Sequence, residues 1–386
     1  MQEQGNKGVI LVVDDANLNR EFLRLHLLRH EYELLTAENG KQAMEVLSQH
    51  PEVDLILLDL IMPVMDGFDF LEWRKSDPMA KKIPVIVNSS LDDFSSIARA
   101  LEMDSYDYFT KPLDQRQIET ILPVKIRNAV NSRRLMAETS RQNEIMRDEL
   151  ELAARYQRFM LPSPAETPDL KSHYLFQPCT GVGGDYFDLF PLKQGGYGFL
   201  VADVSGHGVA SAMTAAILKA LTPNYLERFA SPAMALFALN ADLYRLTPED
   251  SFVTCFAAIY RPAVRQLTWS SAGHPPALLQ NGPGQPHRLT QESIFLGAFD
   301  SGDHLVEYND QTIQVSQGHR LTMYTDGLIE ATDPSEAQFG LARVETLLAA
   351  SRERGLEHVC QQVKEDLFQF TQGHFPDDVA FIMVEF

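Results

Sequence analysis

The sequence predicts a multidomain protein in which a helical linker joins an α/β doubly wound domain to an α+β domain. In the first part of the chain, buried-strand runs and helical stretches alternate five times, which predicts a five-stranded parallel sheet covered by helices. A glycine-free, helix-forming stretch follows. In the remainder, short strands in hairpins and a few longer helices predict a β-sandwich flanked by helices. We place the domains at residues 1–122, 123–162 and 163–386.

Composition excludes several classes of protein. Of the 386 residues, 45% are hydrophobic, and the formal net charge of -20 argues against a nucleic-acid backbone as partner. Cys179, Cys255 and Cys360 lie too far apart to predict a zinc site or a disulfide framework. No apolar run approaches the roughly 18 residues of a membrane span, and the N-terminus lacks a signal-peptide pattern. We expect a soluble cytoplasmic protein that binds neither membrane nor nucleic acid.

The elements of the first domain follow from its apolar patterns. Strands are predicted at "GVILVVDD", "ELLTA", "VDLILLDL", "IPVIVNSS" and "YDYFTKP". The helices between them are predicted at "NLNREFLRLHLL", "GKQAMEVLSQH", "GFDFLEWRKS" and "DDFSSIARALEM". In the first of these helices, the 3–4 residue spacing of Leu18, Phe22, Leu25 and Leu28 places them on one face.

Polar side chains end four of these strands: Asp14, Asp15, Asp59, Ser89 and Lys111. Because the carboxyl ends of parallel strands meet at one edge, we expect these residues to converge. Three carboxylates together repel one another unless a hard cation such as Mg²⁺ binds them. A phosphoryl group arriving at Asp59 would then be neutralised, with Lys111 and the Ser89 hydroxyl contacting its other oxygens. A carboxylate can itself accept the group as an acyl phosphate.

The motifs "VVDD", "LLDLIMPVMDG", "IVNSS" and "FTKP" resemble the receiver domain of bacterial two-component response regulators, over about residues 8–122. The resemblance implies that Asp59 accepts a phosphoryl group from a cognate histidine kinase. It also implies that Asp15, Asp59 and the Ile61 carbonyl hold Mg²⁺, with Asp14 contributing through water.

The same resemblance assigns the switch residues of the receiver. Ser89 and Lys111 would bind the phosphoryl oxygens, and Tyr108 would be the aromatic residue whose rotamer reports phosphorylation. We expect the Lys111–Pro112 peptide bond to be cis, because X–Pro bonds adopt that form at low cost.

The linker is predicted to be one charged helix, with Pro123 either kinking it or starting a new one. Its apolar residues recur at heptad-like spacing: Leu135, Ile145, Leu152, Tyr156 and Phe159. Polar residues occupy other core positions of that register, which weakens a coiled coil while specifying its register. We expect a homodimer through this helix. The alternative is a solvated helix that packs once against the next domain.

Four carboxylates of the last domain stand at polar or glycine-rich ends of apolar strands: Asp185 in "GVGGDYFD", Asp203 in "DVSGHG", Asp326 in "YTDG" and Asp377 in "FPDDVAF". Helices are predicted at 209–221, 232–246 and 341–352. Carboxylate oxygens suit Mg²⁺ or Mn²⁺ and not zinc. Two such ions about 3.5–4 Å apart can activate a water and neutralise a phosphoryl group.

The stretch "DVSGHG" permits three interpretations: a phosphate-binding glycine loop, a histidine metal site, or a carboxylate metal site. It lacks the Gly-Lys-Ser/Thr ending of a P-loop. We favour Asp203 as a metal ligand, with Gly206 and Gly208 opening the turn into the helix. We interpret His207 as an exposed loop residue and His274, in "SAGHPP", as structural.

The motifs "VGGDYFD", "DVSGHG", "SAGHPP", "LTMYTDGLIEA" and "DDVAFIMV" occur in this order. The domain resembles the metal-dependent type 2C (PPM) serine/threonine phosphatases, in the bacterial branch typified by the stage II sporulation protein E phosphatase. The resemblance implies catalysis with two Mn²⁺ or Mg²⁺ ions. Asp203 would bridge both ions beside the Val204 carbonyl, Asp185 would support the second ion, and Asp326 and Asp377 would complete the other.

Together these patterns predict a phosphorylation-controlled protein serine/threonine phosphatase. The family resemblance suggests that its substrate is a phosphorylated anti-sigma-factor antagonist, a small STAS protein, in a partner-switching pathway. The alternative is a non-catalytic adaptor whose phosphatase-like domain binds a sigma factor or its regulator. A DNA-binding response regulator is disfavoured by the acidic charge and by the lack of a helix-turn-helix after the receiver. The direction of control by Asp59 stays open.

Overall fold

The computed structural model describes residues 7–90, 94–112, 116–163, 167, 169–282 and 284–386. Two compact units make up the chain, Met1–Met146 and Arg147–Phe386. None of the helices within the described ranges is long and apolar enough to cross a bilayer.

The first unit contains a five-stranded sheet in the order β2-β1-β3-β4-β5, with every neighbouring pair parallel. Its strands are β1 (Val9–Val13), β2 (Glu33–Ala37), β3 (Val53–Asp59), β4 (Val85–Ser90) and β5 (Asp107–Lys111). The predicted doubly wound fold is therefore confirmed. The carboxyl ends of β1, β3 and β5 lie at one edge, because parallel strands all point the same way.

Helices cover both faces of this sheet: α1 (Asn17–Leu28), α2 (Gly40–Gln49), α3 (Gly67–Ser76) and α4 (Phe94–Glu102). The predicted apolar stripe of α1 does share one face, but its four members are 39–81% exposed. Leu23 and Leu27 pack against the sheet instead. Helix α1 is apolar on two faces, and spacing alone cannot tell which one meets the sheet.

A π-helical turn at Gln117–Ile121 leads into the long helix α5 (Leu122–Met160). Pro123 is the second residue of α5, and Leu122 before it already has helical φ and ψ, so the helix continues from the π-helical turn through Pro123 and does not start there. The five apolar residues of the predicted seam are 45–86% exposed. A single chain therefore leaves this seam uncovered within the described residues.

The second unit is a sandwich of two five-stranded antiparallel sheets, in the orders β13-β10-β9-β8-β7 and β12-β11-β14-β15-β6. Its strands are β6 (Lys171–Gln177), β7 (Tyr186–Pro191), β8 (Tyr197–Val204), β9 (Val253–Arg261), β10 (Gln266–Ala272), β11 (Ala277–Gln280), β12 (His287–Leu289), β13 (Gln311–Gln314), β14 (Arg320–Tyr324) and β15 (Val379–Glu385). Phe199, Phe256 and Ile382 belong to the core between the sheets. The predicted sandwich is confirmed.

Helices α6 (Val209–Phe229) and α7 (Pro232–Leu246) cover the first of these sheets, while α9 (Leu341–Ala350) and α10 (Leu356–Thr371) cover the second. A short helix, α8 (Asp326–Glu330), follows β14. Helix α7 has the predicted bounds, whereas α6 continues past its predicted end. Helix α10 was missed, although Val359, Val363 and Leu367 recur at helical spacing and are buried.

Candidate functional site

The edge of the parallel sheet brings the predicted receiver residues together. Ligand oxygens of Asp14, Asp15 and Asp59 lie within 4.8 Å of one another. Lys111, the last residue of β5, places its Nζ 2.8 Å from Asp14 Oδ2 and 2.7 Å from Asp59 Oδ2. Since these residues come from three strand ends, the fold alone accounts for their meeting.

Burial and charge both perturb the ionisation of this group. Burial raises the pKa of Asp59 and the charge of Asp14 adds to it, while Lys111 acts in the opposite direction. Burial lowers the pKa of Lys111, but its bonds to Asp14 and Asp59 outweigh burial and raise the pKa overall. Lys111 therefore stays an ammonium ion that partly neutralises the two carboxylates.

Two residues that the sequence analysis missed hold the acidic pair in place. Asn19 Nδ2 donates to both carboxylate oxygens of Asp14, at 3.0 and 3.1 Å. The buried Arg20 donates from Nη1 to the carbonyl of Asp14 at 2.7 Å and to that of Asp15 at 3.0 Å. The exposed Asp15 carboxylate consequently projects from a backbone that α1 fixes.

The remaining receiver residues lie around this edge. Ser89 is buried on β4, and the Ile61 N–H donates to Asp59 Oδ1 at 3.4 Å. Tyr108 on β5 is half-buried, with Lys125 Nζ bonded to its carbonyl at 2.9 Å. The Lys111–Pro112 bond is cis, as predicted.

In the second unit, the two sheets bring the predicted aspartates to one region. Asp203 is the second-last residue of β8, and Asp326 begins α8, separated from the end of β14 by Thr325 alone. Burial raises the pKa of Asp203 to about 7, and the charges of Asp326, Asp377 and Asp378 add to this shift. Burial also raises the pKa of Asp326, and the charges of Glu330 and then Asp377 add to this shift. The carboxylates are therefore close enough to repel one another.

Asp185 lies deepest in this group. It is 2% exposed, and burial followed by the charge of Asp203 raises its pKa well above the ordinary value. Thr325 Oγ1 donates to Asp185 Oδ2 at 2.6 Å and accepts from the Ala380 N–H at 2.9 Å. One threonine hydroxyl thus joins the carboxylate before β7 to the backbone of β15. This threonine was missed, since 140 residues separate it from Asp185.

The two aspartates before β15 differ in what they contact. Asp377 is exposed, whereas Asp378 is buried with both carboxylate oxygens bonded. Oδ1 of Asp378 accepts from the Cys179 N–H at 2.8 Å, and Oδ2 accepts from the Gly184 N–H at 2.6 Å. Asp377 is therefore the member with a carboxylate open to a ligand, and Asp378 ties the glycine loop to β15.

Glycine is required where this loop meets the aspartates. A Cβ on Gly183 would lie 2.5 Å from Asp378 Cγ, and one on Gly184 would lie 2.7 Å from the Val204 carbonyl oxygen. Neither space admits a side chain, so the loop approaches Asp378 and Val204 as bare backbone.

Comparison with known families agrees with this geometry. The family model "Stage II sporulation protein E (SpoIIE)" matches residues 193–386, which is 194 of the 386 residues. The chain belongs to the stage II sporulation protein E family. A second family model, "Response regulator receiver domain", matches residues 10–123, so the first unit of this SpoIIE-family chain carries a receiver domain.

Individual relatives match one domain or the other. Phosphoserine phosphatase RsbP of Bacillus subtilis is 28% identical over 188 residues, covering 48% of this chain and 46% of RsbP. Two-component response regulator ORR7 of Oryza sativa is 34% identical over 112 residues, covering 29% and 53%. The chain thus spans about half the length of these curated relatives.

A solved structure supports the fold of the SpoIIE-family domain. The SiaA-PP2C domain of Pseudomonas aeruginosa superposes with a TM-score of 0.57 at 20% identity, covering 64% of this chain and 98% of that domain. The chain is therefore a response regulator receiver joined to a domain with the PP2C fold.

The two histidines of the SpoIIE-family domain have different surroundings. His207 is exposed in the loop before α6. His274 is buried, with Nδ1 2.8 Å from Thr254 Oγ1 and Nε2 3.0 Å from the Tyr324 carbonyl. A carbonyl only accepts, so Nε2 carries the proton, and burial lowers the pKa of His274 to about 3. His274 is thus a neutral link between β9 and Tyr324, the last residue of β14, which stands two residues before Asp326.

Both groups of carboxylates have the donor chemistry of a divalent-cation site. Their side chains offer oxygen atoms, which suits Mg²⁺ or Mn²⁺. In the SpoIIE-family domain, the carboxylates raise one another's pKa values, and a bound cation would remove that repulsion. The residues present fit the divalent metals that the PP2C fold implies.

Proposed function

We propose that this chain is a response regulator whose SpoIIE-family domain is a metal-dependent protein serine/threonine phosphatase. The observation that carries the proposal is that Asp185, Asp203 and Asp326, each at or beside a strand end, lie close enough for their charges to act on one another in a partly or fully buried region. Buried like charges destabilise a fold, and a bound cation would remove that repulsion. We also propose domain boundaries at residues 1–122, 123–162 and 163–386.

The roles of individual residues follow the family pattern. Asp203 would hold both Mn²⁺ or Mg²⁺ ions with the Val204 carbonyl, Asp185 would support the second, and Asp326 and Asp377 would complete the other. Ions bound there would activate a water molecule and neutralise the phosphoryl group.

Hydrolysis by water is favoured over a thiol nucleophile. Cys179 Sγ lies within 4.8 Å of ligand oxygens of Asp377 and Asp378. Burial, followed by the charge of Asp378, raises the pKa of Cys179 to about 11, so the thiol stays protonated at neutral pH. The Cys179 thiol is therefore poorly suited to attack phosphorus.

The receiver would control this activity. A carboxylate oxygen of Asp59 attacks the phosphorus of a phosphohistidine on a cognate kinase, forming a P–O bond as the P–N bond breaks. Mg²⁺ held by Asp15, Asp59 and the Ile61 carbonyl, with Asp14 contributing through water, would neutralise the transferred group. Lys111 would leave the carboxylates to bind a phosphoryl oxygen.

Ser89 and Tyr108 would then convert phosphorylation into a change of receiver surface. Ser89 would bind another phosphoryl oxygen, and Tyr108 would change rotamer.

The exposed apolar seam of α5 supports a homodimer, since a second copy of the helix would cover it.

For the substrate, we propose a phosphorylated anti-sigma-factor antagonist of the STAS type. The similarity to RsbP, a protein named as a phosphoserine phosphatase, supports phosphoserine as the target. The acidic protein, with its formal charge of -20, would need bound cations to accept an anionic phosphoprotein.

The test is hydrolysis of a phosphoserine peptide and of a phosphorylated STAS protein by the purified chain with Mn²⁺. Asp203→Ala is the metal-site control, and Asp59→Asn is the receiver control. Each protein is assayed with and without beryllofluoride, which mimics the phosphorylated receiver. We expect Mn²⁺-dependent turnover that Asp203→Ala abolishes, and a beryllofluoride effect that Asp59→Asn removes. If neither substrate is hydrolysed, the proposal is refuted and the alternative, a non-catalytic adaptor, is favoured.

A further inference from the structure

One buried side chain of the linker helix reaches the glycine loop of the metal-site region. Gln157 stands one turn before the end of α5 and is 5% exposed, whereas most of its neighbours on that helix face solvent. A buried amide needs partners for both its N–H and its oxygen. Gln157 finds both on a single residue.

That residue is Gly183. Gln157 Nε2 donates to the Gly183 carbonyl at 2.6 Å, and Gln157 Oε1 accepts from the Gly183 N–H at 3.1 Å. The primary amide therefore satisfies both backbone groups of one buried glycine. Leu150, two turns earlier on α5, lies against Gly181, where an added Cβ would be 3.4 Å from Leu150 Cβ. The helix and the loop thus touch at two points.

The loop that Gln157 holds also orders the carboxylates. Gly184, the next residue, donates its N–H to Asp378, and Asp185 follows directly. A displacement of Gly183 would move the amide that Asp378 binds and the backbone that carries Asp185. Because Gly183 packs against Asp378 with no room for a side chain, the loop has little freedom to absorb such a movement.

We propose that Gln157 is a positioning residue through which the linker helix sets the geometry of the Asp185–Asp378 region. This inference rests on the proposed function. It adds that the Gln157–Gly183 contact is where a movement of α5 would displace the residues of the metal site. A rotation or shift of the helix changes the two Gln157–Gly183 bonds first. Metal affinity and turnover then depend on the state of the linker, and through it on the receiver.

The sequence offers matched controls for this idea. Gln280 is also a buried glutamine of the same domain, and its Nε2 donates to the Leu348 carbonyl at 2.9 Å, joining β11 to α9. Gln142 is exposed on α5 and bonds to Glu138 on the same helix. Methionine matches glutamine in length and volume, so Gln→Met at each position removes hydrogen bonds with little change in packing.

The experiment compares the full-length chain with Gln157→Met, Gln280→Met and Gln142→Met. The first readout is Mn²⁺ affinity by titration calorimetry, which needs no turnover. The second is the ratio of phosphoserine-peptide turnover with and without beryllofluoride. We expect Gln157→Met to weaken Mn²⁺ binding about tenfold or more, as loss of an outer-sphere partner does. We also expect its beryllofluoride ratio to move toward one, while both control variants keep the wild-type values.

Gln157→Glu serves as a second variant in case Gln157→Met does not fold, because it keeps an acceptor for the Gly183 N–H and replaces the donor to the Gly183 carbonyl by a carboxylate oxygen. We expect its Mn²⁺ affinity to fall below that of the wild type, and its beryllofluoride ratio to move toward one. The inference would be overturned if folded Gln157 variants kept the wild-type Mn²⁺ affinity and beryllofluoride ratio. It would also be overturned if they changed these values no more than Gln280→Met does. Wild-type protein that binds Mn²⁺ without turning over phosphoserine would refute the proposed function instead, and the affinities would still test Gln157.

Discussion

Replacing Asp203 by Asn should stabilise the metal-free SpoIIE-family domain while abolishing its metal response. Burial and the neighbouring aspartates raise the pKa of Asp203 from 3.8 to about 7. A shift of about 3 units at about 1.4 kcal/mol each corresponds to about 4 kcal/mol of penalty for the ionised form. Asp203 is only partly buried, and solvent screening reduces the penalty to about 2–4 kcal/mol.

The sign of this effect depends on pH. Below pH 4, Asp203 is protonated in both the folded and the unfolded chain, so its replacement changes little. Between pH 4 and pH 7 the folded state retains a proton that the unfolded state has lost, so the free energy of unfolding falls as pH rises. Above pH 7 the whole penalty is present. The free energy of unfolding of Asp203→Asn should therefore exceed that of its parent most at pH 8, and by progressively less toward pH 5.

The assay is urea unfolding followed by tryptophan fluorescence in a Trp73→Phe background. Trp269, 5% exposed in the core between the sheets, then reports on this domain alone. With EDTA at pH 8, Asp203→Asn should be more stable than its parent by about 2–4 kcal/mol. With Mn²⁺ at 100 times its dissociation constant, the parent should gain about 2.7 kcal/mol and the variant nothing. Asp148→Asn, at an exposed position of α5, is the control.

A variant that is less stable than its parent in EDTA at pH 8 would refute the reasoning, because the aspartates would then not repel one another. If Mn²⁺ stabilised both proteins equally, Asp203 would not be a metal ligand.

Other substitutions test the supporting hydrogen bonds. Arg20→Met should weaken Mg²⁺ binding to the receiver about tenfold, because its guanidinium holds the carbonyls of Asp14 and Asp15; an unchanged Mg²⁺ titration would contradict this. His274→Phe should lower Mn²⁺ affinity about tenfold, and His274→Gln should restore most of it by supplying a donor and an acceptor; equal affinities of the two variants would show that bulk alone matters. Thr325→Val should destabilise the domain by about 1–3 kcal/mol in urea unfolding, since it removes the hydroxyl that bonds both the buried Asp185 side chain and the Ala380 N–H; a neutral effect would argue against these bonds.

Sequence patterns predicted the receiver well because its chemistry is local to strand ends. Asp14, Asp59 and Lys111 each follow or end an apolar run, and parallel strands bring such ends to one edge. The same reasoning did not identify Arg20, whose role depends on which face of α1 meets the sheet. Spacing marked one apolar face of that helix, but the face that packs is the one with Leu23 and Leu27.

In the SpoIIE-family domain, the sequence by itself determined the kind of chemistry. Aspartates at glycine-rich strand ends predict oxygen ligands for hard cations, and this prediction needs only residue type and local pattern. Only the tertiary structure decided which aspartate is open and which is bonded, and which residues hold them. Thr325, His274 and Gln157 act on partners far along the chain. Their contacts form only when the two sheets and the linker helix have packed together. A hydrogen bond between residues so far apart leaves no periodic pattern in the sequence, so the sequence alone does not predict it.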